Sequence, residues 1–122
     1  MQPRNIDRSE IQTALVSNTP PVLLEALDEA YYQKAHLPGA IALPLAQLAA
    51  VAKARLLDKS APLVVYCASS TCKNSDIAAR ALVALGYHDV RVYTAGKADW
   101  IESGLPVETG VERGTGASAM AC

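Results

Sequence analysis

Short apolar runs alternate with segments of helical periodicity along most of this chain. Four runs, at residues 22–26, 40–43, 63–66 and 90–93, have the length and the aliphatic or β-branched content of strands. The run at 63–66 is the strongest and predicts a central strand. The run at 22–26, interrupted only by Glu25, has the pattern of a strand covered on both faces. The sequence therefore predicts a sheet with a buried middle.

Three helices are predicted before the central strand: one precedes the run at 22–26, one follows it, and one follows the run at 40–43. Asp7 or Ser9 can cap a first helix, and Asp28 can cap a second, short one. Pro44 opens a third helix, rich in Ala and Leu, that reaches about Leu57.

Two more helices follow the central strand. The first ends at Gly86 and is expected to bury one stripe of side chains: Ile77, Ala81, Leu82 and Leu85. The second carries Trp100. Because strands that alternate with helices pair in parallel, the predicted fold is α/β, with a central, mostly parallel sheet and helices on both faces. In such sheets ligands bind outside the carboxyl ends of the strands.

Composition narrows the possible functions. The 122 residues are 51% apolar and carry a formal net charge of −1 with both signs interspersed, so we expect one domain that binds neither nucleic acid nor a membrane surface. No targeting or membrane-spanning segment stands out, which favours a cytoplasmic location. From about residue 108 the chain shifts to Gly, Thr, Ser and Ala, so we assign a domain to 1–108 and a flexible C-terminal tail to 109–122.

Cys67 directly follows the central strand and is the main candidate for chemistry. Three cysteines at irregular positions indicate reduced thiols rather than a disulfide framework. A loop of small residues that leads into a helix can direct backbone N–H groups at an anion, and the same field favours a thiolate. We therefore expect Cys67 to be a nucleophile and Ser75 to cap the helix. The expected substrate-binding residues are Ala68, Ser69, Ser70, Thr71, Cys72, Lys73, Asn74 and Ser75.

Cys72, five residues after Cys67, is a candidate resolving thiol. In a curled loop the two Cα atoms can lie within disulfide distance, so Cys72 can resolve a Cys67 persulfide or sulfenic acid; it can equally line the loop without chemistry. His36 is interpreted as a turn residue bonded to backbone, and Glu25 as a buried group that needs a hydrogen-bonding partner from a neighbouring loop. No cofactor or metal is expected, because the cysteines and histidines lack ligand spacing.

Four ordered motifs resemble the rhodanese, or sulfurtransferase, homology domain over nearly all of the chain before the tail. They are Val-Leu-Leu-Glu at 22–25, Ala-His-Leu-Pro-Gly-Ala-Ile at 35–41, the active-site strand that ends at Cys67, and the closing pattern that runs from 92–96 through Trp100 to Gly-Leu-Pro-Val. The resemblance implies a rhodanese-like fold and a thiosulfate sulfurtransferase-like enzyme whose Cys67 carries a persulfide. The partners it implies are a small anionic sulfur donor such as thiosulfate, and cyanide or a thiol as acceptor, the thiol being a small molecule or a thioredoxin-like protein.

The loop departs from the family's pattern in its spacing. The family's usual loop has Arg after four residues, whereas five residues separate Cys67 from Lys73 here. This wider spacing is that of related dual-specificity phosphatases and arsenate reductases, which makes a phosphatase or arsenate reductase an alternative. Lys73 weakens that alternative, because an ammonium group cannot give the bidentate contacts of Arg. A non-catalytic sulfur carrier or interaction module is the third possibility.

Overall fold

The computed structural model of the protein describes residues 2–111. Within this part of the chain five strands form: β1 (Arg4–Asn5), β2 (Val22–Glu25), β3 (Ile41–Ala42), β4 (Leu63–Tyr66) and β5 (Val90–Tyr93). They alternate with five α-helices: α1 (Arg8–Leu15), α2 (Glu29–Lys34), α3 (Leu48–Arg55), α4 (Asn74–Ala84) and α5 (Gly96–Glu102). A short 3-10 helix, Leu45–Gln47, precedes α3. The predicted alternation of strands and helices is confirmed.

The five described strands are all parallel and lie in the spatial order β1-β5-β4-β2-β3. Strand β4 is in the middle, with Val65 paired to Leu24 of β2 on one side and to Val92 of β5 on the other. Its four residues are at most 1% exposed. The prediction of a buried central strand at 63–66 is therefore confirmed.

Each face of the sheet has its own hydrophobic core. Helices α3 and α4 cover the core that includes Leu24, Val65, Val92, Ala52 and Leu82. Helices α1, α2 and α5 cover the core that includes Leu23, Val64, Ile11, Tyr32 and Trp100. Successive residues of a strand serve opposite cores because their side chains point to opposite faces. The predicted placement of helices on both faces is confirmed.

The buried face of α4 differs from the predicted stripe. Ala78, Ala79 and Leu82 are buried, whereas Ile77 is 53% exposed and Leu85 is 42% exposed. Small alanines on the inner side let the helix approach the sheet closely, and the larger side chains then lie towards solvent. The prediction that Ile77 and Leu85 belong to the buried stripe is wrong.

The start of α1 shows how local sequence sets a helix boundary. Asp7 is its N-cap, and its carboxylate accepts a hydrogen bond from the backbone N–H of Glu10 at 2.8 Å. The Glu10 carboxylate in turn accepts from the backbone N–H of Asp7 at 2.9 Å. This reciprocal capping box satisfies two N–H groups that a helix end leaves without partners. Of the two predicted caps, Asp7 is the one that the structure uses.

Two features at the ends of the domain come from long-range pairing. Strand β1 is not predicted by the sequence, and it forms where Arg4 and Asn5 pair with β5. At the other end, Glu108 pairs with His36 in an antiparallel bridge. The tail predicted for 109–122 lies, from residue 112 onward, outside the described residues. Among the described residues no helix is long and apolar enough to cross a membrane.

Candidate active site

Cys67 directly follows the carboxyl end of β4 and is the first residue of the loop that leads into α4. The residue is fully buried. Its carbonyl oxygen accepts a hydrogen bond from the backbone N–H of Lys97 at 2.8 Å, and the carbonyl of Ala68 accepts from Ala98 at 2.8 Å. The first turn of α5 therefore anchors the start of the loop and fixes the backbone that carries the thiol.

Gly96 makes this anchoring possible. Its φ is +73°, in the left-handed region that favours glycine. A Cβ atom at this position would lie 2.7 Å from the Cys67 carbonyl oxygen and 2.9 Å from the Ser69 nitrogen. Only a residue without a side chain lets α5 approach the loop this closely.

The Cys67 sulfur contacts two other residues of the predicted site, Cys72 and Ser75. Cys67 and Cys72 form a disulfide, with their Cα atoms 6.3 Å apart, inside the range that disulfides require. The Cys67 sulfur also lies 3.6 Å from the Ser75 hydroxyl oxygen and 3.4 Å from the Cys72 carbonyl oxygen. The structure thus brings Cys67, Cys72 and Ser75 together around one sulfur atom.

Ser75 does not cap α4, so that prediction is wrong. The N-cap is Lys73, and Ser75 is the second residue inside the helix. Its side chain is buried, at 3% exposure, and its hydroxyl faces the sulfur. The helix begins two residues earlier than the cap prediction requires, and this places the Ser75 hydroxyl next to the Cys67 sulfur instead of at the helix end.

The remaining predicted residues line the loop surface. Ala68, Ser70, Thr71 and Lys73 are exposed, whereas Ser69, Cys72 and Asn74 are partly buried. Several of their polar groups are used within the protein. The Ser69 and Thr71 hydroxyls bond each other at 3.0 Å, and the Asn74 amide donates to the Ala26 carbonyl at 3.0 Å. The backbone N–H of Cys72 donates to the Ser69 carbonyl at 3.1 Å.

A buried charge pair lies beneath the start of the loop. The fully buried Glu25 carboxylate accepts hydrogen bonds from the Lys97 ammonium group at 2.9 Å and from the Tyr66 hydroxyl at 2.8 Å. Lys97 also donates to the carbonyls of Tyr31 and Ala35. Glu25 therefore has the hydrogen-bonding partners that its burial requires, but they are a lysine of α5 and a tyrosine of the neighbouring strand, so the prediction of a partner from a loop is wrong.

Tyr66 stays neutral in this network. Burial, and after it the negative charge of Glu25, raise the pKa of Tyr66 far above its usual value. Its hydroxyl accepts a hydrogen bond from the Leu37 N–H at 3.0 Å and donates to Glu25. Since Tyr66 directly precedes Cys67, the network fixes the end of the strand that carries the thiol.

Sequence reasoning did not identify Lys97 or Gly96 as site residues. A lysine in a short helix has the pattern of a surface residue, and the only available signal was that a carboxylate in a buried strand requires a cationic or donor partner. Gly96 enters the sequence analysis only as the last residue of the motif at 92–96. Its contact with Cys67 depends on how α5 packs against the loop.

The two histidines have no contact with the sulfur among the described interactions. His36 is buried, and its Nδ1 lies 2.8 Å from the Tyr32 carbonyl oxygen, which confirms the predicted bond to backbone. The residue itself lies in the bridge to Glu108, before the turn at 38–39, so its placement in the turn is wrong. His88 is exposed.

The fold and the site define a class: a small parallel α/β domain with a cysteine at the carboxyl end of its central strand, in a loop that leads into a helix. The family model of the rhodanese-like domain matches residues 8–103. The chain therefore belongs to the rhodanese-like domain family, as its sequence motifs predict.

Solved structures support this assignment. The crystal structure of the Alr3790 protein from Anabaena sp. is 27% identical, with a TM-score of 0.77, and the match covers 87% of this chain and 93% of that one. The solution structure of the rhodanese-like domain of the same protein is 28% identical, with a TM-score of 0.76, over 94% of this chain and 84% of that one.

An enzyme is also among the similar structures. A thiosulfate sulfurtransferase from Pseudomonas aeruginosa is 27% identical, with a TM-score of 0.77, over 91% of this chain but only 21% of that one. This chain therefore corresponds to about a fifth of that enzyme. No curated protein matches the chain in sequence.

Proposed function

We propose that this protein is a sulfurtransferase that carries sulfane sulfur as a persulfide on Cys67. The main support is the position of Cys67, a buried cysteine at the end of the central strand of a rhodanese-like domain. A backbone hydrogen bond from α5 fixes its carbonyl, and the N-terminal end of α4 follows the loop. A sulfur atom held here lies in the positive field of a helix N-terminus, which favours the thiolate.

The transfer starts from the reduced loop and has two displacement steps. The Cys67 thiolate attacks the outer sulfur of an anionic donor such as thiosulfate. The sulfur–sulfur bond of the donor breaks, and sulfite leaves with the bonding electron pair. An acceptor thiolate or cyanide then attacks the outer sulfur of the persulfide and regenerates the Cys67 thiolate.

Side chains of the loop have distinct roles in these steps. The Ser75 hydroxyl, 3.6 Å from the Cys67 sulfur, can donate a hydrogen bond to the thiolate. Lys73 is exposed at the start of α4, where its charge attracts an anionic donor to the loop surface. Its exposure fits attraction of the donor better than rigid binding of a phosphate group.

Persulfide formation tests the proposal directly. Cys72 is first replaced by alanine, so that no neighbouring thiol can react with the adduct. The reduced Cys72→Ala protein, the same protein with Cys67→Ala, and the same protein with the matched control Cys122→Ser are incubated with thiosulfate and analysed by intact mass spectrometry. We expect an adduct of one sulfur atom, about 32 Da, on the two proteins that keep Cys67 and none on the protein with Cys67→Ala. An equal adduct on all three proteins, or none on any, would refute the proposal.

The Cys-x5-Lys spacing gives a second candidate, a phosphatase or arsenate reductase. The same three proteins are therefore assayed with an aryl phosphate and with arsenate. Turnover that requires Cys67 and occurs without any sulfur adduct would favour this candidate. A protein with neither adduct nor turnover would be an interaction module.

A further inference from the structure

A second cysteine, Cys72, lies against Cys67 in the loop, and simple sulfur transfer does not use it. The two residues are joined in a disulfide, although only Cys67 directly ends the strand. We infer that Cys72 gives the site a further activity, in which it cleaves the Cys67 persulfide and releases the sulfane sulfur as hydrogen sulfide. This inference rests on the proposed persulfide on Cys67.

The backbone holds the two thiols within bonding reach of each other. Cys67 is anchored by β4 and by the hydrogen bond from the Lys97 N–H to its carbonyl. Cys72 is anchored by its own N–H, which donates to the Ser69 carbonyl, and by α4, which begins two residues later. Because both ends of the segment are fixed, Cys72 is present at a high effective concentration, and an external thiol must compete with it.

The cleavage step balances without another reactant. The Cys72 thiolate attacks the inner sulfur of the persulfide, which is the Cys67 sulfur. The bond between the Cys67 sulfur and the outer sulfur breaks, and the outer sulfur leaves with the electron pair as hydrosulfide. The sulfane sulfur is reduced by two electrons, and the two cysteines are oxidised to the disulfide that the structure contains.

A dithiol closes the cycle. Cys72 is partly exposed and Cys67 fully buried, so the reductant attacks the Cys72 sulfur and Cys67 leaves as the thiolate beside the Ser75 hydroxyl. A monothiol forms a mixed disulfide with Cys72, and the free Cys67 thiolate can attack this bond and expel the monothiol. A dithiol instead uses its second thiol to form its own disulfide, which releases Cys72 as a thiol. The net reaction converts thiosulfate and a dithiol into sulfite, hydrogen sulfide and an oxidised dithiol.

A single-turnover experiment tests this activity. All proteins carry Cys122→Ser, so that the two loop cysteines are the only thiols. The reduced protein, with or without Cys72→Ser or Cys72→Ala, receives one equivalent of thiosulfate and no external thiol. Sulfite, sulfide and the protein mass are then measured.

With both loop cysteines present we expect sulfite, sulfide and a protein that has lost two hydrogens to a Cys67–Cys72 disulfide. Both Cys72 variants are expected to release sulfite, to lose sulfide release and to retain the adduct of about 32 Da. A dithiol such as dithiothreitol is expected to support repeated turnover of the protein with both cysteines.

The outcomes separate this inference from the proposed function. Sulfide release that is undiminished in the Cys72 variants, or a stable Cys67 persulfide with no sulfide when Cys72 is present, would overturn the inference and leave the sulfurtransferase proposal standing. A persulfide that moves to Cys72 would also overturn it, because the attack would then be on the outer sulfur. Absence of sulfite and of any adduct in every protein would overturn both.

Discussion

Replacing Gly96 with alanine tests whether close contact between α5 and the loop holds Cys67 in place. Gly104 offers a matched control in the same helix–turn region. Its φ is +78°, close to the +73° of Gly96, but a Cβ atom there would meet nothing within 4 Å. The two substitutions therefore introduce the same backbone strain and differ in the contact that they make.

The structure gives the size of the expected difference. Alanine at Gly104 is expected to lower the unfolding free energy only by the cost of the left-handed conformation, about 1–2 kcal/mol. At Gly96 the new Cβ would lie 2.7 Å from the Cys67 carbonyl oxygen, well inside ordinary contact distance, and its three nearest neighbours are all backbone atoms, of Cys67 and Ser69. Forcing the loop and α5 apart adds about 1–3 kcal/mol, the usual cost of overpacking.

Urea unfolding and the rate of persulfide formation measure the two consequences. We expect Gly96→Ala to lose about 2–5 kcal/mol of unfolding free energy and to load sulfur more slowly, because relief of the contact displaces the backbone of Cys67. Gly104→Ala is expected to lose stability only and to load sulfur at the wild-type rate. Equal losses of stability in the two variants, or normal loading by a folded Gly96→Ala, would refute this reasoning.

Two further predictions concern charged groups. Lys97→Met leaves the buried Glu25 carboxylate without its cation and is expected to reduce the unfolding free energy by about 3–5 kcal/mol in urea titrations. Arg4→Ala, which removes an exposed ion pair, should cost at most about 1 kcal/mol, and similar losses for both would contradict the assignment. The hydrogen bond from the Tyr93 hydroxyl lowers the pKa of Asp99 below the ordinary aspartate value of about 3.9. The ionised carboxylate therefore stabilises the fold at pH values above about 3.9, and this contribution is lost as the pH falls below that value. Asp99→Asn is therefore expected to flatten the decline of stability between pH 5 and pH 2, and an unchanged slope in urea titrations across that range would contradict the prediction.

Much of the sheet could be predicted from sequence because its strands carry their own pattern. The runs at 63–66 and 90–93 form strands with those bounds, since apolar and β-branched residues there favour extended, buried backbone. Strand β1 could not be predicted, because Arg4 and Asn5 have no strand pattern. It forms only where the edge of β5 offers backbone partners. The exposed Ile77 was misplaced for a similar reason, since periodicity does not say which side of a helix meets the sheet.

For the candidate site, the sequence by itself determined that Cys67 follows a buried strand and precedes a polar loop and a helix. That placement is local, because it depends on the order of residues along one short segment. The tertiary structure decided what surrounds the sulfur: the approach of Gly96, the pairing of Lys97 with Glu25, and the positions of Cys72 and Ser75. The contacts of Gly96 and Lys97 depend on the packing of α5, join residues far apart in the chain and leave little trace in the sequence pattern. Cys72 and Ser75 are only five and eight residues from Cys67, so the sequence places them near it, and the path of the loop into α4 sets their distances from the sulfur.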